Sequence, residues 1–294
     1  MGASRRMHDD EMAIDGEVVR RLLASQFPRW ASLPLKRVAP GGTVNAIFRL
    51  GDDMAVRLPR TPRHHDPEEL PSWLATLAPQ LPLTIPEPLG VGRPSDDYPW
   101  RWSIVRWVEG ERLDVDRLDD PRRVAVQLAE FVAALHRIDV AALPASPPPA
   151  PELRDADTAV RAAAERARGV IDTDAFLKAW DAALQVPAWA GDAVLVHRDL
   201  GPGNLIVQHG RLAAVIDWGA LSIGDPALDV GFGTLFSGEA RAAFLSVLPG
   251  DDQVWQRIRG WQLTNVVSIP YYAETNPQMA TAARQVIEEV LGER

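Results

Sequence analysis

The stretch from Val194 to Gly231, VLVHRDLGPGNLIVQHGRLAAVIDWGALSIGDPALDVG, decides how the rest of the chain is read. An apolar run delivers His197-Arg198-Asp199, a loop bearing glycine and proline follows, and Asn204 comes five residues after Asp199. Asp217 stands 13 residues beyond Asn204. Between the two, Leu205 to Val207 and Ala213 to Ile216 flank His209-Gly210, a pattern that predicts a hairpin. Such a hairpin brings Asp199, Asn204 and Asp217 to one mouth of a small sheet. Two oxygen donors, Asn204 and Asp217, suit magnesium, which takes few protein ligands and leaves its other positions to phosphate oxygens and water. Asp199, a carboxylate the metal does not need, can accept a proton from an alcohol.

On the N-terminal side of this stretch the chain changes character twice. Leu35 to Val38, Val44 to Leu50 and Met54 to Leu58 read as strands, the last two joined by the turn Gly51-Asp52-Asp53. A proline-dense passage from Pro71 to Pro99 encloses a helix around Ser72 to Ala78 and a short strand near Leu89-Gly90-Val91. Trp102 to Val108 alternates as a strand and runs into Glu109-Gly110. Beyond Asp120, helices dominate. Pro121 starts an amphipathic run in which Val124, Leu128, Phe131, Val132 and Leu135 recur at helical spacing. Further helices are expected over Asp157 to Arg168, Asp174 to Leu184, Gly238 to Leu248, Asp252 to Ser268 and Pro277 to Leu291. A β-rich first third and a helical remainder predict an α+β chain in two lobes, residues 1–109 and 110–294, with a cleft between them.

Composition removes several classes of function. The chain has 294 residues, 46% of them hydrophobic and 24% charged, which is ordinary for a folded soluble protein. It has no cysteine, hence no disulfide, no thiolate metal site and no cysteine nucleophile, which suits a reducing compartment. The longest run without charge, Leu70 to Pro86, contains four prolines and does not suit a membrane span. No apolar leader stands in the first twenty residues, so the expected location is cytoplasmic. A net charge of -9 repels the phosphate backbone of nucleic acid and favours a neutral or cationic small-molecule partner.

The quoted stretch resembles the protein-kinase-like fold and, within it, the aminoglycoside phosphotransferase family. His197 to Asn204 is similar to that family's catalytic loop, and Asp217-Trp218-Gly219 stands where kinases have Asp-Phe-Gly. Gly224-Asp225-Pro226 with Asp229 matches the family's following motif. The likeness extends from about residue 30 to the C-terminus. It implies a bilobal phosphotransferase that uses Mg²⁺ and ATP or GTP, with a small-molecule hydroxyl as acceptor, in the first instance an aminoglycoside-like or other antibiotic. Its partners would be these small molecules, with neither nucleic acid nor a membrane. Asp199 would be the catalytic base, and Asn204 and Asp217 the metal ligands. Ile104 to Val108 would be the connector whose backbone holds a purine, through Ile104, Arg106 and Val108.

Two places depart from the kinase pattern. Arg57 stands where kinases carry the phosphate-binding lysine, in a chain whose only lysines are Lys36 and Lys178. Arginine keeps the charge and can grip phosphate oxygens in a bidentate way. Glu68 and Glu69 are the acids that could orient it, or else helix-start acids near a dipole; Glu69 is the expected partner. Gly42, in Gly41-Gly42, either cradles phosphate or serves a plain turn. His136, Asp225 and Asp229 read as packing or loop-holding residues. Tyr271, Tyr272 and Glu274 could line an acceptor pocket or simply pack a helix. Two alternatives stay open: a metabolic kinase for an amino alcohol or sugar, and a nucleotide-binding pseudoenzyme.

Overall fold

Asp15 opens the first helix because its carboxylate accepts the N–H groups of Glu17 and Val18, both at 3.0 Å, donors that a helix start otherwise leaves unpaired. A computed structural model of the chain describes residues 12–38, 45–61, 68–248 and 253–292. Helix α1 (Gly16–Gln26) turns Val19, Leu22 and Leu23 onto one face of a five-stranded antiparallel sheet. That sheet is built from β1 (Leu35–Arg37), β2 (Asn45–Leu50) and β3 (Met54–Pro59), followed after helix α2 (Leu70–Leu77) by β4 (Pro88–Gly92) and β5 (Trp102–Arg106). Its strand order is β1-β2-β3-β5-β4.

Strand alternation sorts the residues of this sheet onto two faces. Ala46, Phe48 and Leu50 of β2, Val56 and Leu58 of β3, and Trp102 and Ile104 of β5 form a core with α1. The intervening residues, Asn45, Ile47, Ala55, Arg57 and Val105, face the other way, into the cleft. Gly51 takes the left-handed conformation, φ 60°, that the β2–β3 turn requires. The fully buried Tyr98 donates its hydroxyl to the carbonyl of Pro59 at 2.5 Å.

The remainder is mainly helical. After β6 (Glu111–Arg112) come α3 (Pro121–His136), α4 (Asp157–Arg166) and α5 (Thr173–Ala183). The short strands β7 (Val194–Val196), β8 (Leu205–Gln208), β9 (Arg211–Val215) and β10 (Ser222–Gly224) interrupt them. The chain closes with α6 (Ala227–Val230), α7 (Gly238–Val247), α8 (Val254–Leu263), α9 (Ser268–Tyr272) and α10 (Pro277–Gly292). β7 pairs with β10, while β8 and β9 form the expected hairpin with β6 along its edge. Asp120 caps α3 through the N–H of Arg123 at 3.0 Å. Among the described residues, no helix is long and apolar enough to cross a membrane.

One hydrophobic cluster crosses the expected division at residues 109 and 110. Leu70, Trp73, Leu74 and Leu77 of α2, with Ile85, pack into the same cluster as α3, Leu205, Val215 and Trp218. Thr84 also pairs with β9: its N–H donates to the Ala213 carbonyl at 3.1 Å and its carbonyl accepts from Val215 N–H at 3.0 Å. A second cluster, from α4, α5, Ile269 and α10, stands apart.

Candidate active site

β7 ends on the fully buried Leu195 and Val196 and then hands the chain to a loop hung from a single carboxylate. Asp229, wholly buried, accepts the backbone N–H of His197 at 2.9 Å and of Arg198 at 2.8 Å, and faces His136 Nε2 at 3.3 Å. Arg198 adopts φ 69°, a left-handed conformation that costs a side-chain-bearing residue about 1–3 kcal/mol and persists where surrounding contacts enforce it. The Arg198 guanidinium donates to Ser222 Oγ at 3.1 Å. The N–H of Asp199 in turn meets His197 Nδ1 at 3.2 Å.

Asn204 holds Asp199 twice, through Nδ2 to the backbone carbonyl at 2.9 Å and to Oδ2 at 2.8 Å. Its own N–H and carbonyl are fixed by Gly201 and Ile216, each at 2.9 Å, which ties the loop to the strand that delivers Asp217. Asp217 has φ 64°, and its Oδ1 accepts from Arg57 Nη2 at 2.8 Å. Arg57 is buried and Asp217 partly exposed.

These surroundings tune two titrating groups. Asp199 is exposed as a residue, yet desolvation of its carboxylate pushes its pKa up to about 6, with the Asp217 charge adding to the rise and Asn204 and Arg198 opposing it. Burial pushes the fully enclosed His197 down, against the pull of Asp229 and Asp217, so its ring stays neutral.

Asn204 and Asp217 stand on the wall of a cavity of about 310 Å³ between sheet and helical region. Ile47 and Ala55 cover it from the sheet, and Ile206 and Ile216 from the other side. Arg57 lines the same cavity. A larger groove of about 960 Å³ lies beside the connector and shares Gly110 and Arg112 with it, but holds none of Asp199, Asn204 and Asp217. Chemistry therefore favours the smaller cavity.

The expected connector is met in part. Arg106 and Val108 line the cavity, whereas Ile104 does not: its side chain belongs to the core with α1 and it is paired on both sides, with β3 and β4. The N–H of Arg106 is taken by Glu87 O at 2.9 Å and that of Trp107 by Asp53 O at 2.7 Å. Among the described residues, no hydrogen bond engages the backbone of Val108. Arg57 has Asp217 as a carboxylate partner and no bond to Glu69. Glu69 stands exposed at the N-cap position of α2 without a side-chain capping bond, with Pro71 behind it, while Glu68 pairs with Arg101 at 2.8 Å. Gly42 falls outside the described residues. Tyr271 is 49% exposed and stacks edge-on against Tyr272 at 4.8 Å. Asn45, Ala55, Ile206 and Ile216 were not singled out by the sequence; counting in twos from Arg57 and Asn204 would have found Ala55 and Ile206.

Residues 36–261 match the model of the phosphotransferase enzyme family, APH. The chain belongs to that family. It is a phosphotransferase. No curated protein sequence matches this phosphotransferase. Its fold is similar to that of the GDP complex of wild-type aminoglycoside 2'-phosphotransferase-IIIa, with a TM-score of 0.75 and 20% identity over 95% of this chain and 99% of that one. The apoenzyme of a macrolide 2'-phosphotransferase, MphH from Brachybacterium faecium, is similar with a TM-score of 0.60 and 22% identity over 95% and 98%. At these identities the likeness speaks for the bilobal kinase-like fold.

Proposed function

We propose that this phosphotransferase moves the γ-phosphoryl group of a nucleoside triphosphate to a hydroxyl of a small molecule, at the junction of the 310 Å³ cavity and the Asp199 loop. The observation that carries the reading is a polarity gradient along one cavity. Ala55, Val105 and Ile216 with the free backbone edge of Val108 suit a flat base at the connector end, while Arg57, Asn204 and Asp217 suit phosphate at the other. ADP and GDP complexes of structurally similar phosphotransferases support a nucleotide as donor.

Asp199 is the base or orienter of the acceptor hydroxyl. Its carboxylate is held by Asn204 at 2.8 Å, and with a pKa of about 6 it is mostly ionised at neutral pH, ready to accept the alcohol proton. Arg57 stabilises charge on the phosphates. The donor set fits magnesium. Asn204 spends its Nδ2 on Asp199, which leaves Oδ1 for a metal, and Asp217 adds a carboxylate. Among the described residues no cluster of three or more His, Asp or Glu could hold a metal without added ligands, which suits an ion that completes its shell with phosphate oxygens and water. When bound, magnesium neutralises developing charge on the phosphoryl oxygens.

The acceptor is proposed to be an aminoglycoside-like or other hydroxylated antibiotic, bound between the Asp199 loop and the helices after Pro121. Similar structures include a kanamycin complex and macrolide phosphotransferases, and the net charge of -9 is comfortable with a cationic acceptor. The donor and the cysteine-free chain fit a cytoplasmic setting. The test is a nucleotide-consumption screen over aminoglycosides, macrolides and small amino alcohols with ATP and GTP. Acceptor-dependent consumption, with one phosphate appearing on the acceptor per nucleotide spent, is the expected result. Consumption with no acceptor in the panel phosphorylated would contradict the antibiotic assignment.

A further inference from the structure

Asn45 is 3% exposed, yet its Oδ1 has no hydrogen-bond partner, and the residue lines the cavity of Arg57 and Asp217. A buried carboxamide with no partner in the protein is uncommon in native structures, and the register shows which part of the cavity it faces. Ala55, at the connector end of β3, pairs with Val105; Arg57 pairs with Ile47, and Pro59 with Asn45. At about 3.4 Å of rise per residue, Asn45 lies about 7 Å further from the connector than the Arg57–Ile47 pair. It therefore stands on the sheet wall of the cavity at the end away from the connector.

We infer that Asn45 is a further binding residue for the nucleotide, its carboxamide positioning the terminal phosphoryl group. The inference rests on the phosphotransferase reading above. Among the described residues, no protein group bonds either atom of the carboxamide, so nothing in the protein fixes whether Oδ1 or Nδ2 faces the cavity. A terminal phosphate offers only acceptors, and Nδ2, unbonded but not fully enclosed as Oδ1 is, is the donor that meets it. An adenine or guanine at the connector end is too distant to be touched, so Asn45 distinguishes triphosphate from nucleoside without affecting the base.

Calorimetric binding of ATP and GTP with Mg²⁺, and of adenosine and guanosine, tests this in wild type, Asn45→Asp and Asn45→Ser. The expected result is nucleoside affinity within twofold of wild type in both variants. Triphosphate affinity falls about ten- to a hundredfold in Asn45→Ser, the loss of one hydrogen bond to a charged group, and further in Asn45→Asp, which adds like charge. Retained nucleoside binding also reports that each variant is folded; if Asn45→Asp does not fold, Asn45→Ser carries the comparison. An unchanged ratio of triphosphate to nucleoside affinity would overturn the role of Asn45 alone. Failure of wild type to bind either triphosphate would overturn the phosphotransfer reading, and this inference with it.

Discussion

Asp199 works against its surroundings, and that has a measurable signature. Its pKa in the folded chain, about 6, lies above the ordinary carboxyl value, so the folded protein holds the proton more tightly than the unfolded chain does. The stabilisation belongs to the protonated form: it is complete below about pH 4 and is lost as pH rises through about 6. Asp199→Asn removes the charge. In metal-free buffer the variant is expected to unfold at a higher temperature than wild type at pH 7.5, with the difference vanishing near pH 3.5, as scanning calorimetry would record. Equal melting temperatures at pH 7.5 would contradict the burial argument. At this scale the sequence was legible where spacing is local: Asp199, Asn204 and Asp217 converge because a hairpin of a dozen residues folds them together. Arg57 was singled out as a cation for phosphate, but its contact with Asp217, across 160 positions, was not readable.

Elements hold these residues in place, and the loop after β7 depends on one helix. Asp229, in α6, accepts two backbone N–H groups of that loop from inside the core. In Asp229→Ala both would stay buried without an acceptor, at about 1–3 kcal/mol each, so a loss of about 2–6 kcal/mol in unfolding free energy is expected by urea titration. A loss under 1 kcal/mol would show that water replaces the carboxylate. Helices with strong periodicity, such as α3, were readable to within a residue or two. Helix α1 was not recognised, although Asp15 as cap and Val19, Leu22 and Leu23 at helical spacing were there to be counted. In the connector the sequence did not show that Ile104 is held between β3 and β4, because strand partners far along the chain leave no local mark.

Across the whole molecule, the two regions share a core and a latch. α2 and Ile85 pack with α3, β8 and β9, and Glu109 joins both sides, accepting Gln208 Nε2 at its carbonyl at 2.5 Å and pairing its carboxylate with Arg49, whose guanidinium lies over the Trp107 ring at 4.8 Å. The sequence showed a change of character near residue 110 but not that α2 crosses it, because a buried helix face does not announce its partner. Cooperative unfolding follows: tryptophan fluorescence and far-ultraviolet circular dichroism should trace one coincident urea transition. Two separated transitions would mean that residues 1–109 and 110–294 fold independently.

The central claim is that the Asp199 loop and the cavity beside it form one phosphoryl-transfer site. Steady-state kinetics of Asp199→Asn, with the acceptor found by the screen and with nucleotide affinity measured in parallel, tests it most directly. The expected result is a fall in kcat of about 10²–10⁴-fold, the range of general acid–base catalysis, with nucleotide affinity within about threefold of wild type. Turnover at the wild-type rate in that variant would contradict the account.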